Sequence, residues 1–413
     1  MPNAPFRDSE KRGMRILVLD TIHGGNRLAP ALEAQGHAVA AVDVYRGLEG
    51  IPAPEAALRE WDLLVAPVHL DPAYPLFCSV AAPSITHHQA ARWVLGKARP
   101  QPLVEITGSR GKTTTAYALA RAMGGSGILH TSRGTFSLPG MVLTEKTGIT
   151  PSDLVSAARR AYGMHGWCIA EVSLGFTGAG DLGILTSSED YRFASGKKSA
   201  LAEKLRSGQH LPRLLVPPGI GGGGNRVAAG TIARVKGDTC SYREGDIRGE
   251  FSSPLLRLTP YRLPLVLAAA ACCLLGRDPG ELSGFAPVEG RMAISREGGI
   301  AVVDDSNSGT GARTAREAAS YARRESGPGL PLTLVIGKEG GAVCEGFPAA
   351  AIREVIRDVC PGRVILVGDE YRDMVREGGG PEYHWCRTLD EGRSLALQVT
   401  DSGSIVLAVK TWR

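Results

Sequence analysis

The stretch Thr107-Gly108-Ser109-Arg110-Gly111-Lys112-Thr113-Thr114 joins a glycine-containing turn to a lysine and two threonines. Glycines ahead of a helix let successive backbone N–H groups converge on a phosphate, and the lysine adds a point charge. A threonine hydroxyl next to that lysine is a magnesium ligand. Phosphate binding is therefore assigned to Gly108, Ser109, Arg110, Gly111, Lys112, Thr113 and Thr114, with Thr113 also on the metal. Two residues separate Gly108 from Gly111, where the commonest phosphate loop has four. A second candidate is the loop Asp20-Thr21-Ile22-His23-Gly24-Gly25. It follows a short apolar run, the place where doubly wound α/β domains bind ligands. Thr21, His23, Gly24 and Gly25 are the substrate-binding candidates, and the competing reading of His23 is a plain turn histidine.

These residues need particular elements to hold them. An apolar run at 16–20, a helical stretch at 27–35 and a second apolar run at 38–44 read as strand, helix, strand. A strand at 61–68 and a helix at 85–95 complete a small parallel α/β unit. Pro100-Gln101-Pro102 marks a boundary. A strand at 103–107, the glycine loop and a helix at 112–123 then give the strand-loop-helix context of a phosphate site. Strands at 167–172 and 183–186, a helix at 197–205 and an Ala-rich helix at 263–275 make the middle region α/β and the largest. Residues 219–224 are nearly all glycine, which costs backbone entropy on ordering and reads as a mobile loop. From Gly290 a last α/β unit is expected: strand 300–304, helix 312–323, strand 332–336, helix 349–359, and strands 363–367 and 404–409. No solenoid period is visible.

Composition narrows the function classes. With 413 residues the chain is long enough for two or three domains, and 43% hydrophobic with 22% charged residues argues against a disordered or fibrous chain. Lys and Arg number 47 against 42 Asp and Glu, and the excess is spread out. That suits an anionic small molecule at least as well as nucleic acid. The eight cysteines form no CxxC pair, which fits a reducing cytoplasm. The longest apolar stretch, 263–275, falls short of the ~20 residues of a membrane span. Residues 1–13 are polar, without the apolar core of a secretory signal, and read as a loose extension.

The short phosphate loop resembles the ATP loop of the Mur ligases and folylpolyglutamate synthetases, and other segments follow in that family's order. Thr150-Pro151 resembles the Thr-Pro after the substrate loop, and Glu171-Val172-Ser173 resembles the strand end whose carboxylate binds a second magnesium. Residues 186–190 resemble the Thr-Asn to Asp-His segment, and Lys204 falls where several members carry a carbamylated lysine. Gly290-Arg291-Met292 resembles the motif that opens the C-terminal domain, and Asp304-Asp305-Ser306-Asn307 the Asp-Asp-Tyr-Ala-His strand end. Two departures stand out: Tyr191 replaces a magnesium-binding His, and the adenine-side Asn is missing around 261–264.

The resemblance implies an α/β fold of three domains. A Rossmann-like substrate-binding domain would take residues 1–99, a P-loop ATP-binding domain 100–288, and a Rossmann-like domain closing over the nucleotide 289–413. It implies ATP and Mg2+ as cofactors, with Lys112, Glu171 and Lys204 catalytic, Thr113 and Glu171 on the metal, and Arg291 and Asp305 on the nucleotide. Read as residues alone, Glu171 is also a solvated strand-end acid, and Lys204 a helix-surface lysine. The loop at 20–25 together with Asp305-Ser306-Asn307-Ser308-Gly309-Thr310 is similar to one branch, the coenzyme F(430) synthetases. That branch implies ATP-dependent activation of a propionate on a nickel seco-tetrapyrrole, followed by attack of a carbon nucleophile to close a six-membered carbocycle. His87 and His88 read as packing or surface residues rather than nickel ligands, because neighbours in sequence do not share a helix face. The alternatives are an amide-forming Mur-type ligase and a non-catalytic nucleotide-binding scaffold. A monomer or homodimer is expected, with neither nucleic acid nor membrane as partner.

Overall fold

Strands that are apolar at every position need cover on both faces, and the first sheet has it. In the computed structural model, which describes residues 13–327, 329–340, 346–376 and 380–411, four parallel strands lie in the order β2-β1-β3-β4. They are β1 (Arg15–Leu19), β2 (Ala38–Val42), β3 (Leu63–Ala66) and β4 (Ser84–Thr86). Alternate side chains of β1 serve opposite cores. Ile16 and Val18 pack with Leu28, Leu32, Ala91 and Val94 from helices α1 (Asn26–Glu33) and α4 (His87–Leu95). Leu17 and Leu19 pack with Ala56 and Leu76 from α2 (Ala53–Leu58) and α3 (Pro75–Ser79). The extension expected at 1–13 lies, but for Gly13, outside the described residues.

The second sheet has eight strands. Five that carry the phosphate loop and its flanks are β5 (Leu103–Thr107), β6 (Gly127–Thr131), β7 (Gly134–Leu138), β8 (Val142–Glu145) and β9 (Trp167–Glu171); the sixth is β10 (Leu182–Leu185). After the hairpin β11 (Arg192–Phe193) and β12 (Lys198–Ser199), the sheet is completed by β13 (Leu214–Val216) and β14 (Arg226–Ala228). The order is β14-β13-β10-β5-β9-β6-β7-β8, parallel except for β7 and β8 at one edge. Helices α5 (Lys112–Met123), α6 (Pro151–Gly163) and α7 (Ala200–Gly208) belong to this layer, and α8 (Ala229–Ile232) leads into an antiparallel sheet of β15 (Ala233–Lys236), β16 (Thr239–Glu244) and β17 (Ile247–Ser252). Helix α9 (Thr259–Leu274) follows.

A third sheet runs β18-β19-β23-β20-β21-β22, with β18 antiparallel to its neighbour. Its strands are β18 (Ala293–Glu297), β19 (Ile300–Asp304), β20 (Leu332–Lys338), β21 (Arg363–Val367), β22 (Glu382–Cys386) and β23 (Ser404–Lys410). Its helices are α10 (Ala312–Ser326), α11 (Ala349–Val359) and α12 (Leu389–Val399). By packing, the chain forms two compact units. One runs to Ser253 and includes Leu263–Ser283, with the first two sheets; the other takes Pro254–Arg262 and resumes at Gly284, with the third sheet.

Local chemistry moves some expected boundaries. The helix expected at 85–95 starts at His87, because residues 84–86 pair as β4 and Thr86 caps the helix: Thr86 Oγ1 accepts from Gln89 N at 3.2 Å, and Gln89 Oε1 from Thr86 N at 2.8 Å. The helix expected at 197–205 starts at Ala200 behind the cap of Ser199, whose Oγ accepts from Ala202 N at 3.1 Å. Helix α9 begins four residues before the expected 263 and carries Pro264 inside it. Among the described residues no helix is long and apolar enough to cross a membrane.

Candidate active site

The phosphate loop is held from both sides by strand ends. Strand β5 is wholly buried between β10 and β9. Gly108 has φ 153°, and a Cβ there would lie 2.1 Å from Thr186 Oγ1, so only glycine lets the loop pass the end of β10. Thr186 Oγ1 donates to Arg110 O at 2.5 Å and lies 3.2 Å from Thr107 O. Ser187 Oγ accepts from Ser109 N at 2.8 Å, and Arg110 pairs with Glu189. Gly111 takes the left-handed conformation and α5 starts at Lys112, whose Nζ donates to Gly108 O at 3.0 Å. Thr113 is buried, its Oγ1 3.4 Å from Ser132 Oγ. The result is a lysine folded over a glycine loop at a helix N-terminus, an arrangement suited to an anion.

Beside this loop stands a buried carboxylate. The parallel register sets Glu171 against Ile106, two residues before Gly108. Glu171 is 0% exposed, and neither carboxylate oxygen has a hydrogen-bond partner among the described residues. An unpaired buried carboxylate is costly unless a cation compensates it, so the donor set fits a hard metal ion: Glu171 oxygens and the Thr113 hydroxyl. Lys204 on α7 is likewise buried, with Nζ lacking a hydrogen-bond partner among the described residues and lying 4.9 Å from the Tyr191 ring centroid. Burial first and the Lys112 ammonium second push Lys204 down to about 8, against a smaller opposing pull from Asp190. The native chain thus releases a proton that the unfolded chain keeps until the ordinary lysine value of 10.5. Stability gains as pH rises through that window. Urea titrations at about pH 7.5 and about pH 10 should show this gain in the native chain and its loss in Lys204→Met; equal slopes in both would contradict the assignment.

The first loop builds a second cluster around Asp20. This residue is fully buried with φ 78°. Its Oδ1 accepts from Ile22 N at 2.9 Å and His23 N at 3.1 Å, while Oδ2 lies 2.8 Å from His23 Nδ1 and 3.4 Å from His69 Nε2. The ligand atoms of the three side chains all lie within 4.8 Å of one another. The His23 ring packs edge-on against Tyr45 and His69. Gly24 has φ 105°, and a Cβ there would lie 2.3 Å from Ser152 Oγ and 2.7 Å from Thr150 Oγ1. Glycine here lets the loop close onto the start of α6, where Thr150 and Asp153 form a capping box and Arg27 bridges back to Asp153 at 2.5 Å.

A cavity of about 260 Å³ adjoins this cluster, lined by His23, His69, His87, His88, Thr150 and Ser173 among others. A second of about 310 Å³ shares the Pro67-Val68 wall and is bordered by Lys198 and Arg206. His87 and His88 are both buried; Nε2 of the first lies 2.9 Å from Leu19 O and of the second 2.8 Å from Ser173 O. Burial pushes both down to about 4. Of the two expected roles, packing and surface, both residues take packing.

In the other unit, Asp305 directly follows β19 and is buried, with Oδ2 lacking a hydrogen-bond partner among the described residues. Burial pushes its carboxyl up to about 7, against the pull of Thr314 and Arg291. Tyr261 Oη donates to Arg291 O and accepts from Val288 N at 3.1 Å, and Asn307 Nδ2 donates to Gly290 O at 2.7 Å, so the turn before β18 is tied to the strand end that carries Asp305. The native carboxyl keeps its proton where the unfolded one, at 3.8, has lost it. That contribution is complete below 3.8 and is lost as pH rises toward 7. Asp305→Asn should abolish this decline and raise stability at about pH 8 by on the order of a few kcal/mol relative to the native chain. Chemical denaturation checks it, and an unchanged pH profile would contradict it.

The fold has solved counterparts. FolC of E. coli in complex with ADP aligns at a TM-score of 0.57 and 14% identity, over 79% of this chain and 90% of that one. MurF of Acinetobacter baumannii aligns at 0.53 and 13%, over 94% and 95%. The Mur-ligase-like multi-domain α/β fold is thereby shown. Residues 294–411 match the family model for the C-terminal domain of coenzyme F430 synthetase CfbE. The coenzyme F(430) synthetase of Methanosarcina acetivorans is 31% identical over 474 aligned positions, 97% of this chain and 99% of that protein. The chain belongs to the coenzyme F(430) synthetase family.

Membership makes it an enzyme of the ligase class. In this coenzyme F(430) synthetase family chain, the phosphate loop 108–114, Glu171 and Lys204 lie in one unit with Thr21, His23, Gly24 and Gly25, and Arg291 and Asp305 lie together in the other. Sequence reasoning gave Asp20 no role and did not single out His69. The signal for Asp20 was an acid three residues before His23 at a strand end, a spacing that lets the carboxylate cap the turn and reach the imidazole. His69 has no local signal; it reaches the cluster through the parallel pairing of β3 with β1.

Proposed function

We propose that this chain uses ATP to activate a propionate of a nickel seco-tetrapyrrole as an acyl phosphate and then closes a carbocyclic ring by attack of a carbon nucleophile, releasing ADP and phosphate. The observation that carries the reading is 31% identity to a coenzyme F(430) synthetase across 97% of the chain. The site chemistry supports it. The loop N–H groups of 108–114 and Lys112 would hold the ATP phosphates and offset charge as the γ-phosphoryl passes to the carboxylate oxygen. Mg2+, held by Thr113 and Glu171, would neutralise phosphate charge. Lys204, buried beside Lys112, is suited either to steady the transferred phosphoryl or, as its neutral amine, to carry a carbamate. Arg291 and Asp305 are assigned to the nucleotide, and the division at 99/100 and 288/289 is retained as part of the proposal.

A carboxylate-rich macrocycle suits the charge of the first unit. Lys198 and Arg206 border the larger cavity, and Lys198 Nζ is fixed by Val68 O at 2.8 Å. Thr21, His23, Gly24 and Gly25 are assigned to the substrate. The test is ADP release by the purified chain with Mg2+ and either the nickel seco-tetrapyrrole acid or amino-acid acceptors. Stimulation by the tetrapyrrole is expected; stimulation by an amine acceptor alone would turn the assignment to amide formation, and ATP binding without turnover would turn it to a scaffold.

A further inference from the structure

Closing a ring through carbon sets a demand that amide formation does not. An amine brings its own electron pair, whereas a carbon must lose a proton to supply one, so a base has to stand where the substrate lies. We propose that His23, held by Asp20, is that general base. The inference rests on the carbocycle-forming reading above.

The geometry is that of an oriented imidazole. Asp20 is fully buried and cannot swing: Oδ1 is fixed by the backbone N–H groups of Ile22 and His23. Its Oδ2 accepts from His23 Nδ1 at 2.8 Å, which leaves Nε2 as the basic nitrogen and stabilises the imidazolium once a proton arrives. The left-handed φ of 78° at Asp20 is a conformation that costs a non-glycine residue free energy. It is kept here with the carboxylate turned onto three donors of the same loop. The His23 side chain is 48% exposed and lines the cavity of about 260 Å³, so it is open to a ligand as well as oriented.

The other histidines around the cavity are less suited. His87 and His88 are buried, each with Nε2 engaged by a backbone carbonyl. His69 Nε2 lies by the same Oδ2 but farther off, at 3.4 Å against 2.8 Å for His23 Nδ1, and it lacks the backbone fixation that Asp20 gives His23. The same cavity is lined by Ser173 and Leu174, the residues that follow Glu171 by two and three positions. One substrate can thus present its reacting carbon to His23 while its carboxylate lies toward the strand end that carries Glu171.

The step balances. His23 Nε2 takes the proton from the substrate carbon. The electron pair of that C–H bond attacks the acyl-phosphate carbonyl carbon, a C–C bond forms, and the carbonyl C–O bond to phosphate breaks. Inorganic phosphate leaves with that pair, and the proton on His23 passes to solvent.

The experiment separates activation from ring closure. Full-length chain with MgATP and the nickel seco-tetrapyrrole acid is assayed for acyl phosphate, trapped as hydroxamate with hydroxylamine, and for cyclised product. In His23→Gln, the yield of cyclised product per trapped acyl phosphate, at saturating tetrapyrrole, should fall by roughly 10²-fold or more, beyond any loss of binding that both readouts share. The native closure rate should show an acid limb set by His23 in the field of Asp20, Tyr45, Arg46 and His69, His23→Gln should lack that limb, and His23→Gly with added imidazole should regain part of the lost rate. Ring closure by His23→Gln at the native rate would overturn the proposal. So would equal loss of trapping and closure, which marks a residue that only positions substrate. Zinc retained by the native chain through chelation and lost in His69→Ala would overturn it too, because the ion would take the place of the proton between Asp20 and His23. If the native chain gives hydroxamate but never a cyclised product, the carbocycle reading itself fails, a result distinct from failure of the base.

Discussion

Lys112→Ala should lower substrate-dependent ADP release by roughly 10³-fold, about 4 kcal/mol of transition-state stabilisation, with little loss of fold stability. The two effects separate because they arise from different interactions. In the resting chain the Lys112 ammonium donates to Gly108 O at 3.0 Å, and such a bond is worth about 1 kcal/mol net. During phosphoryl transfer the same ammonium would face a phosphate inside a loop of converging N–H groups, where a removed donor costs far more. Steady-state ADP release and urea denaturation on the same preparation check it. A loss of activity that merely parallels a loss of fold would refute the assignment of Lys112 to the phosphate.

Glu171→Gln is the second large effect, and its sign differs between stability and activity. The native carboxylate is buried with neither oxygen hydrogen-bonded among the described residues, so without a cation it works against the fold. Removing the charge should leave the metal-free chain as stable as before or more so, while activity falls by roughly 10²-fold or more as magnesium affinity drops. Mg2+ should stabilise the native chain by about 2.7 kcal/mol at a hundredfold excess over Kd, which is read as a raised Tm. The glutamine variant should show little of that shift. A metal-independent Tm in the native chain, or full activity in the variant, would count against Glu171 as a metal ligand.

What could be read from the chain followed the strength of local patterns. Strand β5, the loop and helix α5 were legible to the residue because a mostly apolar, β-branched run, a glycine turn and a helix-forming run each speak for themselves. The same holds for β19, α11 and β21. Helix α12 was not foreseen although Thr388 and Glu391 form a readable capping box. The antiparallel β15–β17 sheet escaped because its alternation is broken by exposed charged residues such as Arg243 and Glu244. At the site, Lys112 came from the glycine loop itself and Glu171 from motif order, and their partners came from register: β9 against β5 sets Glu171 beside the loop, and β10 brings Thr186 across it. The Asp20 cluster needed tertiary structure, since His69 joins it only once β3 lies beside β1.

The central claim is carbon–carbon ring closure driven by ATP, and mass analysis of the product tests it most directly. Purified chain incubated with MgATP and the nickel seco-tetrapyrrole acid should yield a tetrapyrrole lighter by one water, with one ADP and one phosphate formed for each, and at a rate roughly 10³-fold lower with Lys112→Ala. ADP formation with the tetrapyrrole recovered unchanged, or joined to an added amine, would contradict the account.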